Sequence, residues 1–121
     1  MRDVEPRAIS TAIYRMVLDA SFNLPERVLL ALRRAADVES GPARAVLEAL
    51  VENARIAAER RIALCQDCGL TVVFAEIGRQ CHLSGDLYAA VNDGVARAYA
   101  DGYLRKSVLG DPLRRDSNTG D

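Results

Sequence analysis

Thr71-Val72-Val73-Phe74-Ala75-Glu76-Ile77-Gly78 breaks with the pattern of everything before it. Its β-branched and aromatic residues, closed by a glycine, predict a buried strand. Upstream of it the apolar residues recur at helical spacing instead. Ile9, Ala12, Ile13, Met16 and Val17 mark a helix from Pro6 to about Ala20. Asn23, ahead of Leu24-Pro25, reads as the cap of a second helix that carries Val28, Leu29, Leu32 and Ala36 to about Val38. Ser40-Gly41-Pro42 breaks and caps again. A third helix then follows to about Arg60, with Ala43, Val46, Leu47, Leu50, Ala54, Ile56 and Ala57 repeating along it.

Downstream of the strand the elements are shorter. Cys81-His82-Leu83 suggests a second strand. Ser84-Gly85-Asp86 caps a helix in which Leu87, Ala90, Val91, Val95, Ala98 and Tyr99 share a face, ending near Gly102. Gly78, Gly85 and Gly102 are expected to end these elements at positive φ. Tyr103 to Asp121, with Gly110, Asp111-Pro112 and a polar finish, reads as an extended loop. The expected fold class is α+β: a helical N-terminal half of about three helices (1–62), then (63–121) a short antiparallel sheet, one further helix and the loop. The 121 residues, half of them hydrophobic, suffice for a single domain with one core.

Charge excludes little and favours little. Sixteen Lys and Arg against 17 Asp and Glu give a net charge of -1, without the basic surplus of most nucleic-acid-binding domains. No run reaches the roughly 18 apolar residues of a membrane span. Met1-Arg2-Asp3-Val4-Glu5 lacks the basic start and apolar stretch of a signal peptide. A cytoplasmic protein binding neither nucleic acid nor membrane is expected. In such a compartment the three cysteines serve more readily as thiols or metal ligands than as disulfides.

The chemically dense stretch is Leu64-Cys65-Gln66-Asp67-Cys68-Gly69, between a helix and the predicted strand. Loops on a rigid scaffold commonly carry function. By spacing alone, Cys65-x-x-Cys68 admits three readings: a redox pair, half of a zinc site completed by Cys81 and His82, or two ordinary cysteines. The zinc reading makes the chain a small metal-binding or interaction module, and requires those four side chains to converge on one point. His82, the only histidine, reads otherwise as an ordinary residue after a strand.

The order of motifs goes further than any one of them. Leu64-Cys65-Gln66-Asp67-x-Gly69 is followed by Val72-Val73-Phe74-x-Glu76-Ile77-Gly78, Asn92-Asp93-Gly94-Val95, Gly102-Tyr103-Leu104-Arg105-Lys106-Ser107, Asp111-Pro112-Leu113 and Asn118-Thr119-Gly120-Asp121. In this order they resemble the N-terminal region of class I fumarases and of the α subunit of tartrate dehydratase. The similarity runs from about residue 5 to 121 and is most specific from Leu64 onward.

That resemblance implies an iron-sulfur hydro-lyase that reversibly dehydrates a 2-hydroxy dicarboxylate, malate to fumarate or tartrate to oxaloacetate. It implies a 4Fe-4S cluster held by three cysteines. Cys65 matches the first ligand, and the other two lie beyond the equivalent of Asp121. Gln66 and Asp67 match substrate-contacting residues, with Asp67 as the acid or base, and Arg105 matches an arginine that clamps a carboxylate. Cys68 stands where threonine is usual, and Leu70 where threonine is also common; neither Cys68 nor Cys81 carries over as a ligand. The chain alone is then incomplete and inactive. Its expected partner is a C-terminal domain or β subunit, in a homodimer or heterotetramer.

Overall fold

A computed structural model describes residues 2–120. In chain order the elements are β1 (Arg2–Val4), α1 (Pro6–Phe22), α2 (Glu26–Val38), α3 (Gly41–Arg60), β2 (Cys81–Leu83) and α4 (Leu87–Asp101). The class is α+β, as expected. Its residues group into two compact units: Met1–Leu18 with Gln66–Asp121, and Asp19–Cys65.

The first unit is built on α4 and the first part of α1. Ile13, Val17 and Leu18 of α1 are buried, as are Ala90, Val95, Ala98 and Tyr99 of α4, and Leu104 just beyond it. The stripe on α1 is rotated from the expected one, since Met16 is exposed and Ser10 is buried in its place. Asp86 caps α4 by accepting the backbone N–H groups of Tyr88 and Ala89 at 2.8 and 3.1 Å, satisfying two of the four donors that a helix start leaves over.

The sheet differs from expectation in two ways. It pairs β1 with β2, Arg2 opposite Cys81 and Val4 opposite Leu83, and the strands run parallel rather than antiparallel. β1 is three residues long with two charges, too little for a local strand signal. Thr71–Ile77, the predicted buried strand, forms no strand. Thr71 and Val73 are half-buried, but Val72 and Phe74 are 70% and 94% exposed. Strand propensity expresses a fit to paired neighbours, and among the described residues no backbone hydrogen bond joins residues 70–77 to another segment.

The expected glycine roles also shift. Gly78, Gly85 and Gly102 all lie outside the positive-φ region, and Tyr103 takes that conformation after α4, at φ 53°. Gly102 is required for another reason: a β-carbon there would meet Leu18 Cδ2 at 2.7 Å and the Ala98 carbonyl oxygen at 2.9 Å. After Tyr103 the chain doubles back. The Leu109–Asn118 bridge is antiparallel, Gly110 N–H donates to Ser117 O at 2.8 Å, and Thr119 N–H donates to Val108 O at 3.1 Å.

In the second unit α2 packs on α3, burying Ala36, Ala54 and Ala57. Val28, Val46 and Leu50, expected on the buried stripes, are exposed. Asn23 does not cap α2. Its side-chain amide donates to Asp19 Oδ1 at 2.8 Å, and Pro25 takes the cap position. Ser40 stands at the N-cap of α3 without a side-chain cap bond.

Candidate functional site

The residue before Cys65 is held on both sides within the second unit. Leu64 N–H donates to the Ser21 carbonyl oxygen at 3.0 Å, and the Asn53 side-chain amide donates to the Leu64 carbonyl oxygen at 2.7 Å. Cys65 follows this fixed peptide with an exposed side chain. The boundary between the two units falls immediately after it.

Gln66 and Asp67 are exposed, and the next two residues anchor them to the first unit. The Cys68 sulfur accepts the backbone N–H of Arg105 at 3.2 Å. Gly69, at φ 65°, turns the chain through a region that favours glycine. Its carbonyl oxygen accepts the Tyr99 hydroxyl at 3.3 Å.

The arginine segment is anchored just as closely. Leu104 is buried and its N–H donates to the Tyr99 carbonyl oxygen at 3.0 Å. The Lys106 carbonyl oxygen accepts the Asn118 side-chain amide at 3.0 Å. Three consecutive residues, 104 to 106, are thus held from α4, from the loop after Cys65 and from the returning C-terminal segment. Motifs separated by 37 residues in sequence meet here, with the Arg105 side chain exposed.

The four-ligand zinc arrangement does not form. Among the described residues no group of three or more His, Cys, Asp or Glu side chains is placed to hold a metal ion. Cys68 faces the Arg105 amide, while Cys81 and His82 lie in β2. None of the three cysteines is in a disulfide, so the redox-pair reading has no bonded form here.

Asn92-Asp93-Gly94-Val95 has a structural explanation that its sequence did not reveal. The Ser10 hydroxyl makes a short hydrogen bond to Asp93 Oδ2, and Arg97 Nη1 donates to Ser10 Oγ at 3.1 Å and lies 3.4 Å from Asp93 Oδ2. The Ser10 bond is the main cause that holds the Asp93 carboxyl below its ordinary pKa; desolvation opposes it and Arg97 adds to it. Gly94 lets α1 approach closely. An open groove in the second unit, with Arg33, Arg44 and Glu48 among its lining residues, contains none of the candidate site residues.

A family model described as fumarate hydratase (Fumerase) matches residues 10–121. The chain belongs to the fumarate hydratase family. It is 34% identical over 112 residues to a Methanocaldococcus jannaschii protein named "Putative L(+)-tartrate dehydratase subunit alpha", covering 90% of this chain and 39% of that one. It is 31% identical over 121 residues to "Fumarate hydratase 2" of Leishmania major, covering 98% of this chain and 21% of that one. The chain therefore spans well under half the length of these fumarase-family relatives.

Class I members of the family are generally iron-sulfur dependent. An exposed cysteine on a fixed backbone suits one ligand position of such a cluster, thiolate being the soft donor that iron-sulfur clusters use. Among the described residues the Cys, His, Asp and Glu side chains form no complete cluster site.

Proposed function

We propose that this fumarase-family chain is the N-terminal component of an iron-sulfur hydro-lyase that reversibly dehydrates a 2-hydroxy dicarboxylate of the malate or tartrate type. Its cytoplasmic assembly includes the C-terminal part of the same α region, which brings the remaining cluster ligands, and a β subunit or domain. The observation that carries this reading is the meeting of the Gln66-Asp67 stretch with the Arg105 segment through the Cys68 contact, in a chain matched to the family over residues 10–121.

Dehydration removes a hydroxyl from one carbon and a proton from its neighbour, while the substrate's two carboxylates hold it in register. Arg105 takes one carboxylate, because a guanidinium donates two parallel hydrogen bonds to it. Gln66 offers an amide donor and acceptor beside the ligand position. Asp67 exchanges the proton at its carboxylate oxygen, as acid in one direction and base in the other. Cys65 would hold the cluster, which would supply a Lewis acid for the departing hydroxyl when bound.

These roles separate kinetically in the assembled enzyme. Arg105→Ala should raise KM for malate or tartrate about 10- to 100-fold, the worth of a lost charge-assisted pair. Asp67→Asn should lower kcat by about 10²- to 10⁴-fold with a smaller change in KM. Unchanged kinetics in either variant contradict the role assigned to that residue.

A further inference from the structure

We propose that Cys68 is a positioning residue whose sulfur, by accepting the Arg105 backbone N–H, sets the spacing between the loop bearing Gln66 and Asp67 and the segment bearing the carboxylate-binding arginine. The proposal rests on the dehydratase reading for what the two ends do, and on geometry alone for the link itself.

Cys68 is half-buried, and its sulfur lies 3.2 Å from the Arg105 nitrogen. Tyr99 makes the neighbouring connection, donating its hydroxyl to Gly69 O while its own carbonyl oxygen accepts the Leu104 N–H. Two consecutive residues of the loop, Cys68 and Gly69, are therefore matched to two consecutive residues of the arginine segment, Leu104 and Arg105, with Tyr99 bridging Gly69 to Leu104 and Cys68 bonded to Arg105 itself. The Cys68–Arg105 bond joins the two segments directly. Asp67 precedes it by one residue, and the Arg105 side chain leaves the same residue whose amide it binds.

A dicarboxylate reacts correctly only if the distance from its clamped carboxylate to the proton-transferring group suits its carbon skeleton, and misplacement by about 1 Å can cost on the order of 10²-fold in rate. Neither Asp67 nor Arg105 is buried, so packing of their own side chains does not fix that distance. Thiol sulfur is a weak acceptor. A hydroxyl at the same place accepts at least as well, whereas an alkyl group of the same shape cannot accept at all.

The test compares Cys68→Thr, which keeps an acceptor, with Cys68→Val, which keeps the shape and loses it. Amide hydrogen exchange, followed by NMR on the 121-residue chain, reads the link without any activity. Arg105 N–H should be similarly protected in the wild type and Cys68→Thr and exchange about 5- to 10-fold faster in Cys68→Val. The Leu104 amide, held by Tyr99, should stay unchanged and so report an intact fold. In the assembled enzyme Cys68→Val should raise KM for the dicarboxylate several-fold more than it lowers kcat, and Cys68→Thr should restore both. Equal Arg105 exchange in all three proteins overturns the proposal. So does faster exchange in Cys68→Val with kinetic constants equal to the wild type. Failure of the dehydratase reading shows separately, as an assembled wild type that dehydrates neither substrate while the exchange pattern still reports the link.

Discussion

Gly94 has no space for a side chain. A β-carbon there would lie 2.6 Å from the Ser10 carbonyl oxygen and 2.8 Å from Ile13 Cβ, and the first of these belongs to helix backbone that cannot swing aside. Gly94→Ala should destabilise the chain by about 1–3 kcal/mol in urea unfolding, despite the better helix propensity of alanine. The neighbouring carboxylate gives a pH signature. Because the Ser10 hydroxyl, helped by Arg97, lowers the folded pKa of Asp93, the bond stabilises the fold above the ordinary carboxylate pKa and that stability is lost as the pH falls through the depressed folded value. The urea midpoint should fall on acidification through this window more steeply in the wild type than in Asp93→Asn. Parallel profiles contradict the assignment.

At the scale of elements, the four helices were legible because each signal was local: apolar periodicity, breaks at Leu24-Pro25 and Ser40-Gly41-Pro42, and an aspartate cap at Asp86. Partners were not legible. Parallel pairing of Arg2–Val4 with Cys81–Leu83 joins segments 79 residues apart in register, and no local pattern encodes it. Thr71–Ile77 has strand composition without a strand's hydrogen bonds, and composition cannot supply them. The candidate site divides in the same way. Cys65, Gln66, Asp67 and Arg105 were visible as motifs, whereas the Cys68–Arg105 contact, the Tyr99–Gly69 bond and the Ser10–Asp93 pair were not, because each joins distant residues. Two substitutions test this view of the elements. Asp86→Ala should cost about 1 kcal/mol by removing the side-chain cap of α4. Phe74→Ser should change stability by no more than about 0.5 kcal/mol, since the ring is 94% exposed. A loss of several kcal/mol at Phe74 would mean that the ring is covered in solution.

For the molecule as a whole, the division into units falls between the proposed cluster ligand and the proposed substrate residues: Cys65 closes one unit and Gln66 opens the return to the other. α1 also crosses from one to the other, after Leu18. With 39% and 21% of its relatives' lengths represented, the chain holds only part of the proposed site. The most direct measurement is anaerobic iron and sulfide reconstitution of the chain together with the remaining segments of a relative, followed by cluster absorbance and dehydration of malate and tartrate. Cluster and activity should appear together, vanish in Cys65→Ala and persist in Cys81→Ala. A cluster that forms equally well in Cys65→Ala, or stoichiometric zinc held by the isolated chain and lost in both variants, would contradict the account.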